Sequence, residues 1–243
     1  MKALVFAAGL GTRLRPLTDS MPKALVPVDG VPLLTHTLRR LISEGATEIV
    51  VNVHHFAEQI VDFLGQHDFG VPIHVSDESL RLLDTGGGLR QALSLFEQDD
   101  DLPVLIHNVD ILSNAPLRAF YEAHLHDDAA LMVSERVTSR KLYFDHTMLL
   151  RGWRHEETGE QRGFLPTDDL SQLRPLAFSG IHLVSPRIAE ALSRYGECFP
   201  VMHFYLSECH SLRIVGHEVP SLRLMDVGKT AALGQAAEFL HTL

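Results

Sequence analysis

The first 28 residues constrain the fold of this chain most strongly. An apolar run over 3–8 has the length of a buried strand, breaks into Gly9-Leu10-Gly11-Thr12-Arg13, and is followed, after a turn-rich stretch, by Lys23. A buried strand that leads into a glycine-bearing, basic loop is how α/β proteins hold phosphate groups at the carboxyl end of a sheet. The segment therefore predicts a loop that binds a nucleoside triphosphate.

The glycine pattern of this loop narrows the kind of nucleotide site. It is not GxxxxGK[ST], so a P-loop is excluded, and Leu14 stands where a GxGxxG motif would have its third glycine. A Rossmann oxidoreductase is therefore disfavoured. For Gly9 and Gly11 alone, an ordinary tight strand-to-helix turn is an equally good interpretation, but Arg13, Arg15 and Lys23 around them favour phosphate.

The apolar pattern beyond the loop predicts alternating helices and strands up to about residue 128. Helical spacing runs over 34–42, 56–64 and 89–96, and strand-like runs lie at 49–53, 71–75 and 104–107. Such alternation is typical of βαβ units and of a parallel sheet covered on both faces.

The rhythm changes from residue 129 onward. Short strands at 131–133 and 142–144 follow one another without helices, 151–175 is irregular, and a strand returns at 176–184. We therefore expect an α/β fold: a Rossmann-like mixed, mainly parallel sheet with helices on both faces. A single domain over 1–243 would comprise a nucleotide-binding half, 1–128, and an acceptor-binding half, 129–243.

Charge and composition bound the partners and the compartment. The net charge of −10 disfavours a nucleic-acid partner, although positive charge gathers near the glycines. There is no apolar run near 18 residues and no signal-peptide pattern, and Cys198 and Cys209 show neither disulfide nor metal spacing. These features predict a cytoplasmic protein that is not bound to membranes. The acidic run Asp99-Asp100-Asp101 is predicted to be a solvated turn.

Three further segments carry candidate site residues, each with a structural alternative. Asp84-Thr85-Gly86-Gly87-Gly88 leaves backbone bare for a base or ribose, or is a threonine-capped helix start. Asp110, after the strand at 104–107, could hold Mg²⁺ against a triphosphate or could cap a turn. Asp226-Val227-Gly228 lies just before the last helix, so Asp226 could cap that helix.

The segments Ala7 to Thr18 and Pro22-Lys23-Ala24-Leu25 resemble the signature of nucleotidyltransferases that make nucleotide-activated sugars. The resemblance is closest to the N-acetylmuramate-1-phosphate uridylyltransferases and the mannose- or heptose-1-phosphate guanylyltransferases. It implies Mg²⁺-dependent transfer of a nucleotidyl group from an NTP to a sugar 1-phosphate, which yields an NDP-sugar and pyrophosphate. The enzyme would be a monomer or a small homo-oligomer.

The resemblance also implies roles for individual residues. Arg13, Lys23 and Asp110 would be catalytic, and Asp110 and Asp226 would hold the metal. Acceptor binding would involve Asp226 together with the candidates Gly180 and Arg140, although an exposed surface arginine is the simpler interpretation of the last. The nucleotide would be bound by Ala7, Ala8, Gly9, Gly11, Thr12, Arg13, Lys23, Thr85, Gly86, Gly87 and Asn108.

Two other functions remain open at this point. The acceptor could be a non-sugar phosphate such as choline phosphate, or the protein could be a non-catalytic nucleotide-sugar-binding regulator. The glycine-rich segment at 84–88 favours a sugar acceptor over choline phosphate. The joint presence of Arg13, Lys23, Asp110 and Asp226 favours an enzyme over a regulator.

Overall fold

The computed structural model of this chain describes residues 1–96 and 101–243. Asp99 and Asp100 of the predicted acidic turn lie outside these residues. The helices are α1 (Leu33–Ser43), α2 (Ala57–Gly65), α3 (Asp84–Leu93), α4 (Leu117–Ala123), α5 (Ala189–Ser193), α6 (Val201–Glu208) and α7 (Thr230–His241). The strands are β1 (Lys2–Phe6), β2 (Pro27–Val28), β3 (Val31–Pro32), β4 (Glu48–Val53), β5 (Ile73–Asp77), β6 (Val104–Asn108), β7 (Ile111–Ser113), β8 (Ala129–Ser134), β9 (Arg140–Phe144), β10 (Leu150–His155), β11 (Gln161–Arg162), β12 (Arg174–Val184), β13 (Ile214–Glu218) and β14 (Leu224–Asp226).

A ten-stranded mixed sheet forms the centre of the molecule. The strand β1 lies between β4 and β6 and is parallel to both, and β5 extends this parallel part. The long strand β12 runs antiparallel to β6 and β8, and β13 is parallel to β8. This sheet confirms the predicted fold class and places the ends of β1, β4 and β6 at one edge.

Apolar side chains cover both faces of the sheet. Val5 and Leu105 belong to one buried cluster with residues of α1, α2, α4 and α7. Their neighbours Leu4 and Ile106 point the other way, into a second cluster with α3, α5 and α6. Because alternate strand residues face opposite sides, an almost continuous apolar strand indicates burial on both faces. Among the described residues, no helix has the length and apolar character needed to span a bilayer.

The prediction of an irregular segment over 151–175 is wrong for the two ends of the segment and for the short β11, while most of the residues between them are irregular. Leu150–His155 is β10, which pairs antiparallel with β9, and the short β11 pairs with its end. The strand escaped prediction because Arg151, Arg154 and His155 interrupt its apolar pattern, while Gly152 packs its bare backbone against the ring of Phe164.

Because two histidines are buried in the central strands, we expect the free energy of unfolding to depend on pH. Burial lowers the pKa of His107 to about 4 and that of His182 to about 3. In the unfolded chain the ordinary pKa is about 6.5, so between these values the unfolded chain binds more protons. The stability contribution is therefore complete above about pH 6.5 and is lost as the pH falls toward 4, by about 3 kcal/mol for His107.

Urea unfolding at several pH values between 4 and 7.5 measures this loss. In the variant His107→Gln the free energy of unfolding is expected to fall less steeply with acid, since its amide can still donate to the carbonyl of Asn108, as Nδ1 does at 2.8 Å. The exposed His126→Gln is the matched control and should keep the wild-type slope. An unchanged slope in His107→Gln would contradict the assignment.

Candidate active site

The loop after β1 folds so that Lys23 faces the end of the sheet. Gly11 adopts a left-handed conformation with φ of 64°, which favours glycine. Its carbonyl accepts hydrogen bonds from the Thr18 hydroxyl and the Leu14 amide, both at 2.8 Å. A Cβ at Gly11 would lie 2.9 Å from Thr18 Cγ2 and 3.1 Å from Lys23 Cβ. The second glycine of the motif therefore permits the close packing of the loop against Lys23.

A cavity of about 370 Å³ opens at the carboxyl ends of β1, β4 and β6. Seven residues predicted for the site line it, together with six others. The predicted residues are Ala7, Ala8, Gly9, Lys23, Thr85, Asn108 and Asp110. The others are Phe6, Asn52, Glu78, Leu82, Asp84 and Val109.

Two carboxylates that are 116 residues apart in the chain meet at one edge of this cavity. The strand β14 pairs antiparallel with β7 and sets Asp226 opposite Ile111, next to Asp110. The amide of Val227 donates to the carbonyl of Asp110 at 2.8 Å and fixes this approach. Partial burial and the charge of Asp110 raise the pKa of Asp226, which is the expected cost of bringing two like charges together.

Two cations balance these carboxylates. The ammonium of Lys23, which is 9% exposed, forms an ion pair with Asp110 Oδ2. The guanidinium of Arg13 lies 4.0 Å from Asp226 Oδ2 and is more than half exposed, so it is open to a ligand. The charges of Lys23 and Arg13 lower the pKa of Asp226 and so oppose the rise that burial and Asp110 cause.

The donor set fits a magnesium ion. Mg²⁺ prefers oxygen ligands and is usually held by one or two carboxylates, with substrate phosphates and water completing its shell. Asp110 and Asp226 supply two such carboxylates, and within 1–96 and 101–243 no cluster of three or more acidic, histidine or cysteine ligands forms. A metal at this site would therefore depend on the bound phosphates for its remaining ligands.

The glycines of the segment 84–88 serve packing rather than the cavity wall. A Cβ at Gly86 would lie 2.3 Å from the ring of Phe199, and one at Gly87 would lie 2.1 Å from the carbonyl oxygen of Glu197. Thr85 is not the helix cap, since α3 begins at Asp84; its hydroxyl accepts a hydrogen bond from the Val201 amide at 2.9 Å. The nucleotide-binding role that was expected for Gly86 and Gly87 stays a prediction, and from this segment Asp84 and Thr85 line the cavity.

Gly87→Ala is expected to destabilise the protein by about 1–3 kcal/mol, since its methyl group would overlap a backbone oxygen that cannot turn away. Gly234→Ala in α7 is the matched control. No atom lies within 4 Å of its built Cβ, so alanine should stabilise that helix by about 0.5–1 kcal/mol. Urea unfolding of both variants checks the pair, and equal stability would contradict the packing role of Gly87.

The candidate acceptor residues divide between two places. Gly180 lies in an irregular part of β12 with φ of 80°, where a Cβ would come within 2.7 Å of Asn108 Nδ2. It therefore packs against a residue that lines the cavity but does not line the cavity itself. Arg140 is exposed at the start of β9, opposite His155. Its backbone amide donates a hydrogen bond to the Thr138 hydroxyl at 3.3 Å. The acceptor role of Arg140 therefore stays a prediction without a contact to the carboxylates.

The sequence reasoning missed Asn52 and Glu78 in the cavity wall. Both side chains are 3% exposed. A signal was present for Asn52, because a lone amide within the apolar run Ile49–Val53 must find a buried hydrogen-bond partner. No such signal marks Glu78, which follows β5 in an ordinary polar turn.

Comparisons with known proteins agree with this geometry. Residues 2–143 match the model of the Nucleotidyl transferase family. The N-acetylmuramate alpha-1-phosphate uridylyltransferase of Neisseria meningitidis is 33% identical over 97% of this chain and 96% of its own length. The enzyme of the same name from Caulobacter vibrioides is 33% identical over 76% of each chain.

Shorter matches and solved structures extend the comparison. The mannose-1-phosphate guanyltransferase of Gibberella zeae is 38% identical over 51% of this chain and 35% of its own. The crystal structure of HddC from Yersinia pseudotuberculosis covers 98% of both chains with a TM-score of 0.78 at 20% identity, which is a likeness of fold. The family match covers the loop after β1 and Asp110, and two relatives match at least three quarters of the chain. This chain therefore belongs to the nucleotidyl transferase family of enzymes.

Proposed function

We propose that the protein transfers a nucleotidyl group from an NTP to a sugar 1-phosphate and releases pyrophosphate, with Mg²⁺ as its metal. The observation that carries the proposal is the meeting of Asp110, Asp226, Lys23 and Arg13 at one edge of the cavity. Two anions that must react with each other need such a balanced set of charges around them.

The reaction asks the protein for alignment and charge neutralisation rather than for a base. The acceptor phosphate has a second pKa near 6 and is largely ionised at neutral pH, so its oxygen is already a nucleophile. It attacks the α-phosphorus of the NTP, the bond to the β-phosphate oxygen breaks, and pyrophosphate leaves with the electron pair. Lys23 offsets charge at the reacting phosphorus, and the exposed Arg13 can donate two hydrogen bonds to the leaving pyrophosphate.

Asp110 and Asp226 would hold the metal. When bound, Mg²⁺ supplies positive charge that draws the two phosphates together and stabilises the charge that develops on transfer. Lys23 donates a hydrogen bond to Asp110. A bound α-phosphate offers this ammonium a second acceptor at the same edge of the cavity, so Lys23 can serve both anions.

For the substrates we propose UTP and N-acetylmuramate α-1-phosphate. Support comes from the two uridylyltransferase relatives, of which one is matched over almost its whole length. The guanyltransferase matches instead cover between about a third and two fifths of those proteins.

Pyrophosphate release with Mg²⁺ tests the proposal. Each common NTP is combined with N-acetylmuramate, N-acetylglucosamine, mannose and glucose 1-phosphates and with choline phosphate. We expect release that needs both a sugar 1-phosphate and Mg²⁺, with UTP and the N-acetylmuramate compound giving the highest kcat/KM. Release only with choline phosphate would overturn the sugar assignment. NTP binding without release from any pair would indicate a regulatory protein.

A further inference from the structure

A buried amide and a buried carboxylate join the two segments that wall the nucleotide cavity. Asn52 lies near the end of β4 and Glu78 directly follows β5, and both line the cavity while their side chains are 3% exposed. Neither has a role in the phosphate chemistry described above. Buried polar side chains need hydrogen-bond partners, and both side chains of this pair have them.

The hydrogen bonds run without interruption from β1 to α3. Asn52 Oδ1 accepts from the amides of Ala7, at 2.7 Å, and Ala8, at 3.3 Å. Asn52 Nδ2 donates to Glu78 Oε1 at 2.8 Å, and Glu78 Oε2 accepts from the Leu83 amide at 3.0 Å. The orientation of the Asn52 amide is fixed by this chain, because backbone amides need its oxygen and the carboxylate needs its nitrogen.

The third glycine of the segment 84–88 makes room for the same pair. A Cβ at Gly88 would lie 2.5 Å from Glu78 Oε1 and 3.0 Å from Asn52 Nδ2. Burial raises the pKa of Glu78, while the hydrogen bonds from Leu83 and Asn52 oppose that rise. Gly88 is therefore a packing requirement of a buried hydrogen-bond network at the cavity wall.

We infer that Asn52 and Glu78 are positioning residues that set the spacing between the loop after β1 and the segment Leu83–Thr85, and so set the affinity for the NTP. The inference rests on the proposed function for the identity of the ligand. Ala7 and Ala8 form one side of the cavity and Asp84 and Thr85 another, and the four hydrogen bonds are what ties these sides together. The side-chain hydrogen bonds of the pair go to Ala7, Ala8 and Leu83 rather than to Lys23 or Asp110, so the loss of the pair should affect binding more than chemistry.

The chain offers an exchange of the two groups as a test. In Asn52→Asp two carboxylates face each other, and in Glu78→Gln one NH₂ group must face another donor, so each single variant breaks the network. In the double variant the introduced aspartate still accepts from Ala7 and Ala8 and also accepts from the introduced glutamine, whose oxygen accepts from Leu83. All donors and acceptors are then satisfied again.

We expect each single variant to raise the KM for the NTP about tenfold with kcat changed by less than about twofold, and the double variant to return KM to within about threefold of wild type. The exposed Glu58→Gln of α2 is the matched control and should keep the wild-type KM. If a single variant fails to fold, Gly88→Ala, which pushes the pair apart, should show the raised KM instead. A double variant that recovers its melting temperature but keeps the raised KM would overturn the inference, as would single variants with the wild-type KM.

Calorimetric titration with UTP and GTP, without acceptor, separates this inference from the proposed function. A wild-type protein that binds NTP but releases no pyrophosphate would refute the proposed reaction, and the same pattern of raised and restored values is then expected in Kd. If the single variants bind NTP as tightly as wild type, or if wild type binds none, the positioning role is refuted.

Discussion

Asp110→Asn is expected to lower kcat/KM for pyrophosphate release by about a thousandfold or more, since the proposed metal site would lose one of its two carboxylates, which is worth several kcal/mol in the transition state. The variant should fold, because asparagine has nearly the size of aspartate and the hydrogen bond from Val227 goes to the main-chain carbonyl of Asp110. Steady-state turnover at saturating Mg²⁺ measures the effect, and far-ultraviolet circular dichroism with urea unfolding measures the fold.

Asp62→Asn is the matched control for this variant. Asp62 is exposed on α2, and its removal changes the net charge by the same amount. Wild-type turnover in Asp62→Asn together with a large loss in Asp110→Asn would assign the loss to the position rather than to the charge. Near-normal, Mg²⁺-dependent turnover in Asp110→Asn would refute the role of Asp110 as a metal ligand.

Lys23→Met is expected to lower kcat/KM by about a hundredfold to a thousandfold, as is typical when one group that stabilises developing charge is removed. Methionine fills the space of the buried stem, so the loss reflects the ammonium rather than a cavity. The two carboxylates then lose their buried counter-ion. In the wild-type protein the charge of Lys23 lowers the pKa of Asp226, so this pKa should be higher in the variant. We therefore expect the pH at which activity is half-maximal on the acid side to rise in this variant.

Lys2→Met is the control for Lys23→Met. Lys2 lies at the first residue of β1, at the opposite end of the strand from the cavity. The pH profile of kcat/KM, measured for wild type and both variants, distinguishes the site from a general charge effect. Equal profiles for Lys23→Met and wild type would contradict the role of Lys23 at the reacting phosphorus.

Much of the nucleotide half follows from local pattern. The periodic apolar residues of α1 predict a helix with one buried face. The β-branched run of β4 predicts a strand that is buried on both faces, which leaves little choice of residue type. The strand β10 could not be predicted from local pattern, because arginines and a glycine break the alternation of its apolar residues. The strand that pairs with it lies elsewhere in the chain. Local pattern fails where packing against a distant segment replaces propensity.

The sequence by itself determined that a glycine-bearing, basic loop follows the first strand, that Asp110 stands at the same edge of the sheet as this loop, and that the family is one of nucleotidyltransferases. These conclusions need only a contiguous motif and the rule that parallel strands end at one edge of a sheet. Only the tertiary structure decided that Asp226 reaches Asp110, that Gly86 and Gly87 pack against 197–199, and that Asn52 with Glu78 ties the cavity walls. Each of these depends on pairing between segments far apart in the chain, and a hydrogen bond or a close contact between such segments exists only once the chain has folded.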